Sequence, residues 1–413
     1  MARILISFVG TGTVDNSGKH EQKFKSNREY LKAKYHIGNE DLGEYSFVAA
    51  ALTKYHDIDK IILIGTTHSM WEEVYRYFCE QKGIETNEDI YLHIAEYCEN
   101  SGHNSNLEIP HKEEIEKVLD GNSHVMLIKY GLTEEEIEEN INIVLNLNKF
   151  INTGDEIIVD VTHSFRSLPI VIMNLLLYLT NVSNKKLQIS HIYYGMLEMR
   201  HELMYAPIVD LKKILVLNKW IVGASEFKNY GNAYQIAELL HDVDSSISKE
   251  LKDFSDVMNL NHLYKIEKDV EKFKNIKNKT FESLLPEFIV KPIIEDFLKR
   301  FRTTQNNHAL FQYRIAKWQF ENMNYALSLI SLSESIITYA CQKSGEDWSD
   351  KEVRKKIKHE TFHFLPQKLA TCYNKLRIYR NAVAHSIRTD NSPKAVIDYL
   401  RKALDLTKDF IDQ

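Results

Sequence analysis

The first half of the chain alternates short apolar runs with longer segments of helical periodicity. An apolar run that ends in Gly, Thr, His or Tyr is typical of a buried strand followed by a turn. Such runs predict strands at residues 3–9, 60–64, 125–128, 156–159, 187–194 and 205–209. Helical periodicity predicts helices at residues 44–55, 133–150 and 168–179. Because strands and helices alternate, we expect a doubly wound, mostly parallel sheet whose loops gather at one edge.

From about residue 210 onward the periodicity is helical. Helices are predicted at residues 211–222, 234–240 and 313–342, and Ser392-Pro393 marks the start of a last helix that ends near residue 411. Residues 243–290 are rich in charge with heptad-like apolar spacing, which we interpret as solvated helices that connect two domains. The predicted fold class is therefore α/β followed by all-α, with domains at 1–210 and 291–413 and a helical linker region at 211–290.

Composition describes a soluble protein without a strong electrostatic signature. The 413 residues include 52 Lys and Arg against 58 Asp and Glu, a formal net charge of −6. Any RNA or nucleotide binding must therefore come from local clusters. The four cysteines form no CxxC pair, which indicates reduced thiols. The first apolar run is too short for a signal peptide and residues 168–179 are too few for a membrane span, so we expect a cytoplasmic protein.

The strand-end turns do not carry the common nucleotide motifs. Neither GxGxxG nor GxxxxGK[ST] occurs, which disfavours a dinucleotide dehydrogenase and a P-loop NTPase. The turns instead carry hydroxyls, imidazoles and aromatic rings, a set that suits purine stacking together with phosphate contacts.

The most informative stretch is residues 160–169, Asp-Val-Thr-His-Ser-Phe-Arg-Ser-Leu-Pro, between a predicted strand and a predicted helix. A polar turn in this position lies at the carboxyl end of a strand, where open α/β sheets bind ligands. Arg166 adds a guanidinium that can hold a phosphate with two hydrogen bonds. The alternative is that Asp160 and Ser164 only cap the helix, but capping accounts for one or two of these side chains, so we favour a ligand site.

A second candidate is Arg380-Asn381-Ala382-Val383-Ala384-His385, at the end of an amphipathic run. Metal-free RNA cleavage needs an imidazole for proton transfer and a guanidinium for the charge on phosphorus, and Asn381 would orient the pair. Arg380 and His385 would lie about 140° apart on an ideal helix, unless the helix ends near His385. The small Ala side chains would let a second copy approach in a symmetric dimer. The alternative is a surface arginine and a helix-terminal histidine.

Residues 359–363, His-Glu-Thr-Phe-His, match HExxH, the zinc-binding helix motif of metalloproteases. Pro366 would break such a helix soon afterwards, and we find no third ligand, so the pattern favours surface or RNA-facing histidines. No bound metal is expected.

Glu334 lies on the apolar stripe of the predicted helix 313–342, one turn beyond Ile330. It is either a carboxylate at the edge of that stripe or the partner of a basic group on a facing helix.

Together these motifs resemble the CRISPR-associated ribonucleases of the type III accessory kind (the Csx-type family), which have an N-terminal CARF sensor domain and a C-terminal HEPN domain. Asp160-Val161-Thr162-His163-Ser164 is similar to the family's D-x-T-H-G/S signature, with Ser where Gly is frequent. Residues 380–385 match the HEPN R-x4-H motif. Residues 65–69 and 193–195 look like the family's other strand-end loops.

The resemblance implies a Rossmann-like CARF sheet at 1–210 and a HEPN ribonuclease domain at 291–413. The activator would be a cyclic oligoadenylate, with cyclic tetra-adenylate as our expectation. The dimer, or a higher even-numbered oligomer, would cleave single-stranded RNA without metal and leave a 2′,3′-cyclic phosphate, and no stable DNA binding is expected. The implied activator ligands are Thr11, Thr66, His68, Ser69, Tyr130, Thr162, His163, Ser164 and Arg166, and the implied catalytic residues are Arg380, Asn381 and His385.

Two further possibilities stay open at this point. Some CARF domains degrade their activator slowly, in which case His163 or Thr162 would take part. The chain could also be a non-catalytic cyclic-nucleotide sensor that signals to a partner protein through its helical domain.

Overall fold

The chain forms two compact units, Met1–Ile214 and Leu215–Gln413. The computed structural model describes residues 2–14, 28–29, 32–163, 168–185, 187–302, 307–384 and 391–411, without the side chains of residues 13, 14, 28, 29 and 168.

The first unit contains an eight-stranded mixed sheet. Its strands, and a separate two-stranded ribbon formed by β2 and β3, are β1 (Arg3–Val9), β2 (Thr13–Val14), β3 (Arg28–Glu29), β4 (Ala33–Ile37), β5 (Glu40–Tyr45), β6 (Lys60–Gly65), β7 (His124–Leu127), β8 (Glu156–Asp160), β9 (Gln188–Gly195) and β10 (Ala206–Asp210). The strand order is β5-β4-β10-β9-β8-β1-β6-β7. Strands β9, β8, β1, β6 and β7 are mutually parallel, β10 is antiparallel to β9, and β5 is antiparallel to β4.

Helices follow most of the parallel strands, as predicted. They are α1 (Val48–Tyr55), α2 (Trp71–Gln81), α3 (Glu88–Asn100), α4 (Lys112–Leu119), α5 (Glu134–Leu145), α6 (Leu168–Asn181) and α7 (Arg200–Leu203), with 3₁₀ turns at Asn146–Phe150 and Leu197–Met199. Leu5, Leu63 and Ile158 pack in one core with residues of α1 to α4. Their sequence neighbours Ile4 and Ile157 are buried as well, so the central strands are covered on both faces, as the near-continuous apolar runs require.

The main error of prediction in this unit lies at the sheet edge. The helix expected at residues 44–55 begins only at Val48, because Glu44 and Tyr45 belong to β5. The hairpin β4–β5 was not predicted. The edge strand β5 is polar, and among the side chains of the two strands only those of Ala33 and Tyr35 are buried. A polar edge strand lacks the apolar signal on which such a prediction depends.

The second unit, as far as it is described, is helical. Its helices are α8 (Lys213–Tyr230, which starts within the first unit), α9 (Tyr234–Leu240), α10 (Ser245–Asn259), α11 (Leu263–Asn278), α12 (Lys291–Phe301), α13 (His308–Glu321), α14 (Tyr325–Lys343), α15 (Lys351–His359), α16 (Thr361–Phe364), α17 (Gln367–Ala384) and α18 (Pro393–Ile411), with a π-helical turn at Pro286–Val290. They pack around two cores, one formed by α8 to α13 and the other by α13 to α18.

The single helix predicted at residues 313–342 is wrong, because the chain turns back at Asn322-Met323-Asn324. Met323 has φ +61°, a left-handed conformation that ends α13. Helices α13 and α14 are antiparallel neighbours, as the hydrogen bonds from Ser328 Oγ to the Ala316 carbonyl and from Ser335 Oγ to the Ala309 carbonyl show.

The solvated character assigned to residues 243–290 is also wrong. Leu251 and Phe254 of α10 and Val270 and Phe273 of α11 are buried in the first of the two helical cores. The heptad-like spacing marks this buried face, and the charged residues between cover the outer one. The proposed division of the helical part at residue 290 stays a prediction.

Candidate functional site

A cleft of about 260 Å³ opens where β1, β6 and β8 end. It is lined by Phe8, Val9, Gly10, Thr11, Ile64, Gly65, Thr66, Ile128, Thr162 and His163. Strand β1 lies between β6 and β8 in the sheet. After β1 the chain adds β6 and β7 on one side, and it later returns to add β8 on the other side, so the strand order reverses at β1. Ligands of open α/β sheets bind at this kind of switch point, outside the carboxyl ends of the strands. Four predicted ligand residues, Thr11, Thr66, Thr162 and His163, therefore meet at one place.

Asp160 lies at the end of β8 and holds the turn that follows this strand in place. Its carboxylate is fully buried and accepts hydrogen bonds from Ser7 Oγ (2.6 Å), the Thr162 backbone N–H (3.0 Å) and Thr162 Oγ1 (2.5 Å). Thr162 Oγ1 in turn accepts the N–H of Gly195, at the end of β9 (2.8 Å). These contacts join the ends of β1, β8 and β9, so Asp160 and Thr162 fix the shape of the turn that presents His163.

The turn after β6 is built by a similar hydroxyl. Ser69 is buried; its Oγ donates to the Val9 carbonyl (2.8 Å) and accepts the Thr66 N–H (3.0 Å). The Met70 N–H donates to the Gly10 carbonyl (3.0 Å), which ties this turn to the end of β1. Ser69 was predicted to contact a ligand, but it lies behind the lining of the cleft and shapes the backbone there.

The approach of the two loops requires glycine at position 12. Gly12 has φ +67°, and a Cβ atom there would lie 2.0 Å from the sulfur of the buried Met70. Both the left-handed backbone and the missing side chain are needed to bring Thr11 to the cleft.

His163 is an enclosed, uncharged imidazole. Burial lowers its pKa, against the opposing influence of the nearby Asp160 carboxylate. A neutral ring offers one donor and one acceptor, which suits hydrogen bonding to a ribose hydroxyl or a base.

The remaining predicted ligand residues are placed less centrally or are not described. His68 Nδ1 lies 2.8 Å from the Cys98 carbonyl, and Tyr130 is half-buried beyond the end of β7. Neither belongs to the described lining of the cleft. Ser164 and Arg166 lie outside the described residues, so their roles stay predictions.

The second candidate site lies on α17 in the helical unit. The Arg380 guanidinium donates to Asn381 Oδ1 through Nε (3.3 Å) and Nη2 (3.0 Å), so the amide orients it. Its Nη1 lies 3.4 Å from Glu334 Oε1 of α14. Helix α17 is described as far as Ala384, and His385 lies outside the described residues. The placement of His385 relative to Arg380 therefore stays a prediction.

Glu334 is the partner of basic groups on facing helices, the second of its two alternatives. Besides Arg380, it accepts hydrogen bonds from Arg354 Nη2 (2.6 Å) and Lys358 Nζ (2.9 and 3.1 Å) of α15. Burial by itself would raise the pKa of Glu334, but Lys358 and Arg354 outweigh it and hold the pKa below its usual value.

Arg354 and Lys358 were not predicted as site residues. Their spacing of four residues places both on one face of α15. This spacing indicates a basic face, but the carboxylate that the face contacts, Glu334, is distant in sequence.

The HExxH match does not form the helix that the motif requires. Helix α15 ends at His359, and α16 starts at Thr361 after a non-helical Glu360 (φ −112°, ψ 39°). Among the described residues, no group of three or more His, Cys, Asp or Glu is arranged to hold a metal ion. Across the described helices, none has the length and apolar character of a membrane span.

Two segments of the chain match models of known families. Residues 4–198 match the family model described as "CRISPR system endoribonuclease Csx1, CARF domain". The N-terminal unit thus contains a CARF domain of the Csx1 type, followed by a mostly helical region, which confirms the CARF part of the predicted resemblance. Residues 216–307 match a second model, "CRISPR-associated protein MJ1674, second domain".

The chain is similar to CRISPR-associated protein MJ1674 of Methanocaldococcus jannaschii, with 32% identity over 411 aligned residues. The alignment covers 94% of this chain and 62% of that relative, so the chain spans less than two thirds of the relative's length. A solved structure, Enterococcus italicus Csm6 bound to cyclic hexa-2′-fluoro-hexa-dAMP, aligns with 99% of this chain and 93% of that one, at 12% identity and a TM-score of 0.37.

Proposed function

We propose that the chain is a metal-independent endoribonuclease of type III CRISPR defence, switched on by a cyclic oligoadenylate. The proposal rests on the match of residues 4–198 to the Csx1 CARF family, whose name describes an endoribonuclease, together with the polar cleft at the switch point of the sheet. Residues 291–413 would form the HEPN ribonuclease domain, and residues 211–290 the helical region that links it to the CARF domain.

The activator would bind in the cleft at the ends of β1, β6 and β8. Thr11 offers a hydroxyl and His163 a neutral ring at this opening, which Thr66 and Thr162 also line. The guanidinium of Arg166 would hold a phosphate of the ring. We expect cyclic tetra-adenylate as the activator. Because the hydroxyl of Thr162 already donates to Asp160 and accepts from Gly195, slow degradation of the activator would depend on His163 rather than on Thr162.

RNA cleavage would take place at the end of α17. The 2′-oxygen attacks the adjacent phosphorus, the 5′-oxygen of the next nucleotide leaves, and a 2′,3′-cyclic phosphate results. His385 would move the protons between these oxygens, and Arg380 would stabilise the charge on phosphorus. The hydrogen bonds from Arg380 to Asn381 support this assignment, because they hold the guanidinium in a defined orientation.

A homodimer would bring two copies of this site together. Ile378 and Val383 on α17 are 61% and 51% exposed, and Ala382 and Ala384 beside Val383 are small enough to admit a second helix. In the CARF unit, Ile137, Ile141 and Leu145 form an exposed apolar stripe along α5. The stripe on α5 is typical of interfaces between copies. On α17 the interface would use two separate apolar positions, because Ile378 and Val383 lie about 140° apart on an ideal helix.

The test is a binding screen of cyclic tri-, tetra- and hexa-adenylate, followed by cleavage of a labelled single-stranded RNA in the presence of a chelator. We expect one ring size to bind and to raise cleavage, with 2′,3′-cyclic phosphate ends on the products. Arg166→Glu should abolish activation and leave the fold intact, whereas His385→Ala should abolish cleavage and leave activator binding intact. Wild-type cleavage by His385→Ala would overturn the catalytic assignment.

Two results would favour other functions. A wild-type protein that binds a cyclic oligoadenylate and cleaves no RNA would be a sensor that signals to a partner protein. Cleavage that is lost in chelator and in His359→Ala would instead indicate a zinc hydrolase.

A further inference from the structure

We propose that Lys358 binds RNA phosphate beside Arg380, as a second cation of the cleavage site. The proposal rests on the proposed ribonuclease function and adds to it a residue outside the R-x4-H motif.

The geometry places the two cations side by side. Lys358 Nζ is 2.9 Å and Arg380 Nη1 is 3.4 Å from the same carboxylate oxygen, Oε1 of Glu334. The three residues come from three different helices, α15, α17 and α14. The ammonium and guanidinium groups are therefore neighbours across one shared acceptor.

The charges around Glu334 do not balance. One carboxylate is in contact with three cations, Arg354, Lys358 and Arg380, which leaves a local excess of positive charge. An anion that approaches Lys358 and Arg380 would relieve the repulsion between them. A phosphodiester supplies that charge in the proposed reaction.

The three cations differ in their capacity for a new ligand. Arg354 already donates to Thr338 Oγ1, to the Trp348 carbonyl, and to the carbonyl and carboxylate of Glu334, and its side chain is 17% exposed. Lys358 is 30% exposed and donates only to Glu334 among the contacts of the described residues. An ammonium group has three N–H donors, so Lys358 keeps capacity for a phosphate oxygen. Arg354 holds Glu334 in place.

A second cation has a clear role in this chemistry. The phosphorane formed by 2′-oxygen attack carries more negative charge than the diester, and donors already held in position stabilise it without reorganisation. Contacts to phosphate carry no sequence information, so Lys358 would assist cleavage whatever the RNA sequence.

Lys358→Ala in the full chain, assayed with saturating activator and single-stranded RNA, is the decisive variant. We expect kcat/KM to fall about 10- to 100-fold with unchanged activator binding. The urea unfolding midpoint should fall as well, because Glu334 loses a partner, so cleavage is compared at a temperature at which both proteins are fully folded. Lys358→Arg should restore most of the activity. Because one phosphate contact is lost, the slope of log KM against log salt should decrease by about 0.7.

Lys355→Ala is the matched control, since Lys355 lies on the same helix, carries the same charge and is 65% exposed. It should cleave within about twofold of wild type. If Lys358→Ala cleaves like Lys355→Ala while Arg380→Ala is inactive, the role of Lys358 is overturned and the ribonuclease assignment stands. If Arg380→Ala and His385→Ala also cleave like wild type, the proposed function itself fails.

Discussion

Residues of the Asp160–Ser164 motif have two different roles: some shape the turn after β8 and one lines the cleft. Its carboxylate is shielded from the cleft and is satisfied by Ser7 and Thr162, whereas His163, three positions later, lines the opening. A buried carboxylate is tolerated only where hydrogen bonds compensate for its lost hydration. The first and third residues of the motif therefore shape the turn, and the fourth residue is the one offered to a ligand.

The substitution Thr162→Val tests whether Thr162 stabilises the turn after β8. Valine has nearly the same shape but removes the donor to Asp160 and the acceptor of the Gly195 N–H. Because this N–H would stay buried without an acceptor, we expect the free energy of unfolding to fall by about 1–3 kcal/mol, measured by urea denaturation. Thr180→Val removes only an exposed hydroxyl that donates to a carbonyl within α6, and should change it by less than about 0.5 kcal/mol. Equal effects of the two substitutions would contradict this role of Thr162.

Glu334→Gln should change the pH dependence of stability. The pKa of Glu334 in the folded protein lies below its ordinary value of 4.5, so its contribution is fully present above about pH 4.5 and is lost as the pH falls through the folded pKa. We expect the variant to lose about 2–4 kcal/mol at neutral pH and to show a flatter decline as the pH falls below the ordinary value of 4.5. Glu352→Gln, at a 77% exposed position on α15, is the control. Parallel pH curves for wild type and Glu334→Gln would exclude the linkage.

The sequence predicts those parts of the candidate site that depend only on the order of the strands along the chain. Thr11, Thr66, Thr162 and His163 follow strands that were predicted, and parallel strands bring their ends to one edge. Ser69 could not be distinguished from Thr66, because which hydroxyl faces the cleft depends on the path of the turn. The contact of Glu334 with Lys358 depends on helix packing that no local pattern specifies.

At the level of elements, the errors follow the strength of the local signal. The apolar strands and the helix at 234–240 were predicted with their approximate limits. The edge hairpin β4–β5 was missed, although Gly38-Asn39 between its strands is a typical two-residue hairpin turn, with Gly38 at φ +57°. Strand β4 does alternate apolar and polar residues, but its partner β5 is polar and does not, so only one strand of the hairpin supported that turn signal.

The turn between α13 and α14 was missed because Asn322-Met323-Asn324 contains neither Gly nor Pro. Met323 is 71% exposed and adopts φ +61°, a conformation that costs a side chain with Cβ about 1 kcal/mol. We expect Met323→Gly to raise the free energy of unfolding by about 0.5–1 kcal/mol, and Met323→Val to lower it, since β-branched residues disfavour this region. Thermal and urea unfolding measure both. A glycine variant that is less stable than the valine variant would disprove this account of the turn.

Residues 243–290 were assigned to solvent because charge dominates their composition, yet they contribute a face to a core. Phe254 is 1% exposed and contacts the rings of Phe227, Phe273 and Phe297. Phe254→Ala should therefore cost about 3–5 kcal/mol, measured by urea denaturation.

The matched control is Leu260→Ala, six residues further along and 78% exposed. It should cost less than about 0.5 kcal/mol. Similar costs for the two substitutions would restore the interpretation of these residues as solvated connecting helices.

On the scale of the whole molecule, the cleft and the proposed cleavage site belong to different compact units. Activation would therefore be a coupling between two binding sites, and such a coupling is reciprocal. If the activator raises RNA affinity, a non-cleavable RNA must raise activator affinity by the same factor. Titration calorimetry of the His385→Ala variant, with and without RNA, measures this factor, and unequal factors would show that a further equilibrium is involved.

One chain supplies only one copy of the proposed catalytic motif, so cleavage should depend on assembly. Ile378→Asp places a charge on the exposed apolar part of α17, where a self-complementary interface would meet its own copy. We expect the mass measured by sedimentation to shift toward that of one chain, and activated cleavage per chain to fall at least about tenfold while activator binding persists. Leu284→Asp, at a 71% exposed position between α11 and α12, should leave the measured mass and the activity unchanged. Full cleavage by a variant that sediments as one chain would show that a single copy is sufficient.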